Sequence, residues 1–353
     1  MTVLHPGGKL AEGIDPLRLV PAELREPLKA LIARDPAMPG GAKHVVTPDE
    51  LARLLPELRR AWAAAPPQTS EVRAVPVECR RIPGPAGAPD VPILIVGAPG
   101  GAPRPAILHM HGGGFIVGTA EEYLPMLRAE ALALGARIVS VDYRLAPEAP
   151  FPGALEDNYA ALLWLHAEAE TLGIDRERIA LQGESAGGGH AAMLALAARD
   201  RGEVPVMFQC LTYPMLDDRT GSARAVAPHI GTWGWTAQYN RMGWSALLGV
   251  PAGSAHVPEG AVPARAADLA GLPPAFLWVG SLDLFVEENL AYAARLAVAG
   301  VPVELHLVPG VYHGFDGAAP ASSVTLGYRD AMVMALARAF AVVPRPDFAR
   351  FLV

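Results

Sequence analysis

Cysteine is nearly missing from this chain. Cys79 and Cys210 are the only two in 353 residues, too few for a disulfide framework, and both fall in runs that read as strands, so two reduced, buried thiols are expected. No apolar run reaches the roughly 18 residues a bilayer-spanning helix needs, and Met1 to Leu10 has no hydrophobic signal core. Basic residues are outnumbered, 29 Lys and Arg against 36 Asp and Glu for a net charge of -7, which leaves no positive surface for nucleic acid or anionic lipid. No Cys/His group has metal-ligand spacing, so no metal and no other cofactor is expected. Together these absences predict a soluble, cytoplasmic protein without a nucleic-acid or membrane partner.

What the chain has in quantity is apolar residues, 51% of the total, with 36 glycines and 35 prolines. That is enough for a sizeable core and many tight turns. Eight runs read as strands: Val72 to Ile82, Val91 to Val96, Ala106 to Met110, Arg137 to Asp142, Ile179 to Gln182, Val206 to Leu211, Ala275 to Val279 and Val303 to Val308. From the third onward they alternate with helical patterns over Glu121 to Leu134, Gly153 to Leu172, Ala186 to Asp200, Glu287 to Ala299 and Ser322 to Ala341. Such alternation predicts an α/β protein, a mainly parallel sheet with helices on both faces, whose active residues collect at the carboxyl ends of the strands. Two regions break the pattern. Residues 1–70 carry helical periodicity in Pro21 to Ala33 and Pro48 to Ala64 without a strand, and residues 213–263 form an irregular insertion. Both are expected to cap a catalytic core made of 71–212 and 264–353.

Chemistry concentrates in three loops. Gly183-Glu184-Ser185-Ala186-Gly187 follows the apolar run Ile179-Ala180-Leu181 and leads into a small-residue helix. A serine in a G-x-S-x-G turn between strand and helix is a presented nucleophile, and the glycines let the turn close. Upstream, His111-Gly112-Gly113-Gly114 follows Ala106-Ile107-Leu108; bare backbone N–H groups there suit an oxygen that becomes negative in a tetrahedral intermediate, and the N–H of Ala186 adds a donor at a helix start. Downstream, Asp283 follows one strand and His313 the next, giving the order Ser, acid, His. His313 would take the Ser185 proton and return it to the leaving group, with Asp283 fixing the imidazole tautomer.

Rival carboxylates are Glu287, already on the following helix, and more remotely Asp142, Asp217 and Asp218. His190 sits five residues along the elbow helix and reads as structural, His111 as an orienting group for the glycine loop, and His306 as a half-buried strand residue. Asp142-Tyr143-Arg144 reads as an ion-pair brace within one loop. The insertion holds Trp233, Trp235, Trp244, Met215 and Leu216, which either line an acyl or alcohol pocket or pin the cap to the body.

Four separated motifs then combine in order: His111 to Gly114, Asp142 to Glu148 with Phe151-Pro152 behind it, Gly183 to Gly188, and Tyr312-His313-Gly314-Phe315. Over roughly residues 75–340 the chain resembles the hormone-sensitive-lipase-like esterases, bacterial family IV. The resemblance implies an α/β-hydrolase fold with an eight-stranded sheet and a helical cap. It implies a serine carboxylesterase for short- to medium-chain acyl esters, with oxyanion donors at Gly113, Gly114 and Ala186 and dimerisation through the last strand, Val303 to Val308. Glu184 departs from the Asp or Thr that many relatives carry and is expected to tie the elbow to a neighbouring loop. The alternative is a catalytically silent ligand-binding protein on the same fold. An epoxide or haloalkane hydrolase would need an aspartate where Ser185 stands.

Overall fold

The aliphatic runs pair into one sheet of eight strands in the computed structural model, which describes residues 16–34, 53, 55–57, 59, 70–97 and 102–345. The strands are β1 (Val77–Ile82), β2 (Val91–Val96), β3 (Arg104–Met110), β4 (Arg137–Val141), β5 (Ile174–Glu184), β6 (Phe208–Thr212), β7 (Ala275–Gly280) and β8 (Val303–Val308), in the order β1-β2-β4-β3-β5-β6-β7-β8. β2 runs antiparallel to β1 and β4, and every other pair is parallel. The α/β architecture is the one the alternating pattern predicts.

A strand's side chains alternate between faces, and the sheet accordingly separates two cores. On one face Leu108 and Met110 of β3, Leu181 of β5 and Leu211 of β6 pack beneath the helices Gly153–Ala167 and Ala186–Arg201. On the other, Ile107, Ala180, Cys210 and Phe276 pack against Leu127 of the helix Leu124–Leu134 and Met332 and Leu336 of Ser323–Phe340. The helix Ala22–Arg34 joins this second core through Leu24 and Leu28. Within the insertion, the helix Ala237–Leu248 sends Met242, Trp244 and Leu247 into the first core.

β2 and β8 have the expected bounds. β1 is shorter, because the chain forms a helical turn over Ser70–Arg73 before it straightens at Val77, and the intervening Pro76 has no N–H to give a ladder. The predicted helix Pro48 to Ala64 falls largely outside the described residues. Cys210 is buried but Cys79 is exposed, which corrects the expectation of two buried thiols: β1 is an edge strand with one face toward solvent, whereas β6 is central.

From β3 the chain steps outward to β4 and then crosses back past β3 to β5. The β3/β5 boundary is therefore where the winding reverses, and a crevice opens there beyond the carboxyl ends of the strands. The glycine loop leaves β3 at this point and the serine turn leaves β5. Among the described residues, no helix is long and apolar enough to cross a membrane.

Candidate active site

β5 ends at Glu184, and Ser185 turns the chain with φ 56° and ψ -119° before the helix Ala186–Arg201 begins. A non-glycine residue in this region is strained by about 1–3 kcal/mol, so the surroundings must hold it. The Ser185 N–H donates to the Thr212 carbonyl at 2.9 Å, and its own carbonyl accepts from Gly189 at 3.0 Å and Met215 at 2.9 Å. The flanking glycines are steric requirements. A Cβ on Gly183 would come within 2.3 Å of the Gly187 backbone, and one on Gly187 within 2.0 Å of the Met110 carbonyl oxygen.

The hydroxyl, imidazole and carboxylate that the sequence singles out lie in one hydrogen-bonded row. His313 Nε2 is 2.9 Å from Ser185 Oγ, and His313 Nδ1 is 2.8 Å from Asp283 Oδ2. Asp283 is buried, and its Oδ1 accepts from the Phe285 N–H at 2.9 Å. With the carboxylate accepting at Nδ1, the neutral ring carries its proton there and offers its Nε2 lone pair to the serine. Aromatic edges of Tyr213 and Phe285 confine the ring at centroid distances of 4.6 and 5.1 Å.

None of the rival carboxylates joins the row. Glu287 is exposed. Asp217 is paired with Arg219 and Arg224, Asp218 with Arg265, and Asp142 accepts the Ala120 N–H.

In the glycine loop, Gly113 and Gly114 take φ of 124° and 58°, a region that favours glycine. A Cβ on Gly113 would lie 2.0 Å from the Val117 carbonyl oxygen, whose turn closes back on Gly113 through two backbone bonds of 3.0 Å. The Gly112 N–H is already given to Tyr123 Oη at 3.1 Å, whereas those of Gly113, Gly114 and Ala186 have no acceptor among the described residues. A Cβ on Gly112 would be 3.6 Å from Ser185 Cβ, so the loop borders the nucleophile directly.

His111 steadies this loop as expected: Nδ1 bonds the Gly112 carbonyl at 2.8 Å, the ring stacks on Tyr143 at 4.2 Å, and Tyr143 Oη donates to the His111 carbonyl at 2.6 Å. His190 is buried edge-on between Phe115 and Tyr143. Burial pulls both imidazoles down to about 3, against the Gly112 carbonyl's opposing effect at His111, so both are neutral at physiological pH.

Glu184 points to the opposite face of the sheet from the elbow helix. Its Oε2 meets His109 Nε2 at 2.9 Å, and His109 Nδ1 meets Ser140 Oγ at 2.8 Å. The brace read within Asp142-Tyr143-Arg144 is corrected: Arg144 forks onto Asp157, with Nη2 to Oδ1 at 2.7 Å and Nε to Oδ2 at 2.9 Å. The partner stands thirteen residues on, within the next helix, Gly153–Ala167.

Of the insertion's large side chains, Trp244, Met215 and Leu216 have no accessible surface, and Trp244 packs edge-on to Phe115 at 4.9 Å. Trp233 is half-buried against the second core. Only Trp235 comes against the glycine loop, where a Cβ on Gly114 would fall 1.9 Å from its Cη2.

Tyr123, Gly243, Glu130 and Glu288 were not singled out in the sequence. A Cβ on Gly243 would lie 2.3 Å from the Gly114 carbonyl oxygen. Glu288 is buried, accepts from the Leu216 and Asp217 N–H groups and the Thr220 hydroxyl, and is pushed well above the usual carboxylate range by burial. A buried glutamate at the start of an amphipathic helix could have been read from helix phase alone. Among the described residues, no group of His, Cys, Asp and Glu is arranged to hold a metal.

Residues 107–317 match the profile of a family described as alpha/beta hydrolase fold. The chain is 40% identical over 227 residues to esterase LipI of Mycobacterium tuberculosis, covering 62% of this chain and 68% of that protein. It is 48% identical over 95 residues to human hormone-sensitive lipase, 27% of this chain and 9% of the lipase. Among solved structures, a bacterial heroin esterase superimposes with a TM-score of 0.77 and 37% identity, over 92% of this chain and 99% of that one.

Proposed function

Because the chain belongs to the hormone-sensitive-lipase-like carboxylesterases of the α/β-hydrolase fold and is a carboxylic ester hydrolase, we propose that it cleaves acyl esters, short-chain ones foremost, through an acyl-enzyme on Ser185. The observation that carries this reading is the row of contacts from Ser185 Oγ to His313 Nε2 at 2.9 Å and from His313 Nδ1 to Asp283 Oδ2 at 2.8 Å.

In this reading Ser185 Oγ attacks the ester carbonyl as His313 Nε2 takes its proton. The carbonyl oxygen becomes an oxyanion against the N–H groups of Gly113, Gly114 and Ala186, which have no competing acceptor among the described residues. Collapse of the intermediate expels the alkoxide, which receives the proton held on Nε2. Water then repeats the sequence on the acyl-enzyme with His313 as base, releasing the acid and freeing Ser185. Asp283 keeps its bond to Nδ1 throughout and stabilises the imidazolium, a role suited to a buried carboxyl group held by the Phe285 N–H.

Residues 1–70 and 213–263 are assigned to the cap. Within it, Trp235 is the large side chain assigned to the substrate wall, against Gly114; Trp244, Met215 and Leu216 have no accessible surface and belong to the first core, and Trp233 packs on the second, so these four support the cap and do not line the site. A homodimer through the β8 edge is assigned on the same footing. That strand is one of the sheet's two edges, opposite β1, with Leu307 exposed on it.

Replacing Ser185 by Ala tests the assignment: hydrolysis of nitrophenyl acetate should fall by a factor on the order of 10⁶, and labelling by a fluorophosphonate should vanish. Wild-type turnover in Ser185→Ala refutes it. A wild-type protein that fails to label favours the silent ligand-binding protein.

A further inference from the structure

One bulky side chain stretches from the triad to the glycine loop. The backbone at Gly234, with φ 73°, rests on His313, since a Cβ there would come within 2.1 Å of the His313 carbonyl oxygen. The next residue, Trp235, sends its indole to Gly114, where Cη2 and Cζ2 would lie 1.9 and 2.3 Å from an added Cβ. The ring therefore bridges imidazole and oxyanion loop beside a serine that is itself 7% exposed.

It is also held there. Trp235 is 5% exposed, it stacks on Tyr239 at 5.5 Å, and its Nε1 donates to Asn240 Oδ1 at 3.4 Å. Asn240 is fixed in turn by its Nδ2 bond to the Thr220 carbonyl at 2.8 Å. Displacing the indole would strip a large aromatic surface of its packing.

A bound ester has three substituents on the reacting carbon. Its carbonyl oxygen must lie on the glycine loop, and its leaving oxygen must lie beside His313 Nε2 to receive the proton. The acyl chain takes the direction that remains, along the wall next to Gly114, and Trp235 is that wall. We propose that Trp235 is the acyl-length stop of this esterase, so that acetyl and propionyl esters fit and longer acyl groups are turned away. The inference rests on Ser185 being the nucleophile, and it adds the substrate class: esters of the smallest acids with alcohols of varied size.

Two ester series on wild type, Trp235→Phe and Trp235→Leu test it. In one, nitrophenyl esters run from acetate to octanoate; in the other, acetates run from ethyl to hexyl alcohol. Fluorophosphonate labelling and melting report that each variant is folded with a competent serine, and Trp235→Phe keeps most of the buried volume where Trp235→Leu does not fold. Wild-type kcat/KM should drop steeply beyond propionate. The hexanoate-to-acetate ratio should rise about tenfold or more in Trp235→Leu and less in Trp235→Phe, with the alcohol series unmoved. An unchanged acyl profile in a labelled, folded variant overturns the proposal, as does a shift confined to the alcohol series, or a wild type that takes octanoate as readily as acetate. A wild type that neither labels nor cleaves any ester overturns the Ser185 assignment instead, and this inference with it.

Discussion

Glu130 offers a sharp test of how burial governs charge beneath the nucleophile. It lies on the helix Leu124–Leu134 with no solvent exposure; its Oε2 accepts from Gln182 Nε2 at 2.9 Å, while its Oε1 has no partner among the described residues. Burial, reinforced by the Glu184 carboxylate and opposed by the Gln182 bond and Arg329, pushes its carboxyl from 4.5 up to about 8. The folded protein thus holds a proton at neutral pH that the unfolded chain has released. Between those two values the native state binds more protons, so stability falls as pH rises, from full below 4.5 to fully lost above about 8. That interval is worth at most about 5 kcal/mol, at about 1.4 kcal/mol per tenfold change in proton activity. Glu130→Gln stays neutral at every pH and still accepts from Gln182, so it isolates the effect. In denaturant unfolding the variant should match the wild type near pH 5 and exceed it progressively toward pH 9. A difference between the two proteins that stays constant over that range would refute the reasoning.

Two further outcomes follow from contacts around the serine. Gly243→Ala puts a methyl 2.3 Å from the Gly114 carbonyl oxygen, where backbone has to move; kcat should fall about tenfold or more with a smaller change in KM, even though alanine favours a helix by about 1 kcal/mol over glycine, and wild-type kinetics would show that the loop yields freely. Glu184→Gln keeps one oxygen for His109 but puts a buried amide NH2 in place of the other, so unfolding free energy should drop by about 1–3 kcal/mol while turnover stays close to wild type; a large loss of kcat at unchanged melting temperature would contradict this.

The reactive loops were legible because their requirements are local. An elbow serine needs glycines two residues away on each side, and the structure gives the reason: Gly183 and Gly187 approach each other and the Met110 carbonyl too closely for any side chain. Asp283 and His313 were legible because each lies in the short loop at the carboxyl end of a strand, beyond β7 and β8. What stayed hidden depends on which strand is an edge, or on helix phase across long sequence gaps. Cys79 and Cys210 both sit in runs that read as strands, yet Val77-Glu78-Cys79-Arg80-Arg81-Ile82 is an edge strand whose charged neighbours face solvent, and only Cys210 is in a central strand. Arg144 has an acid two residues before it, but Asp157 is the carboxylate that its guanidinium fork meets. Among three tryptophans in the insertion, nothing local marks Trp235, since its position comes from the left-handed turn at Gly234 laid against His313.

Ser185 is held from both faces of the sheet, and the two holds differ in kind. On the elbow-helix side they are steric and backbone-made: Gly187 against Met110, and the serine carbonyl bonded by Gly189 and Met215. On the other side they are polar: Glu184, His109 and Ser140 link β5 to β3 and on to β4, one residue below the turn that carries the serine and two below the loop that carries Gly112. β3 and β5 are the strands that deliver the glycine loop and the nucleophile; their parallel backbone ladder sets the distance between them, and this side-chain link ties its carboxyl end. Trp235 and Gly243, by contrast, reach the same loop from the insertion. The insertion therefore serves both tasks: Met215 bonds the Ser185 carbonyl and Tyr213 confines the His313 ring, so a change in residues 213–263 that moves Trp235 also bears on the strained turn and the imidazole.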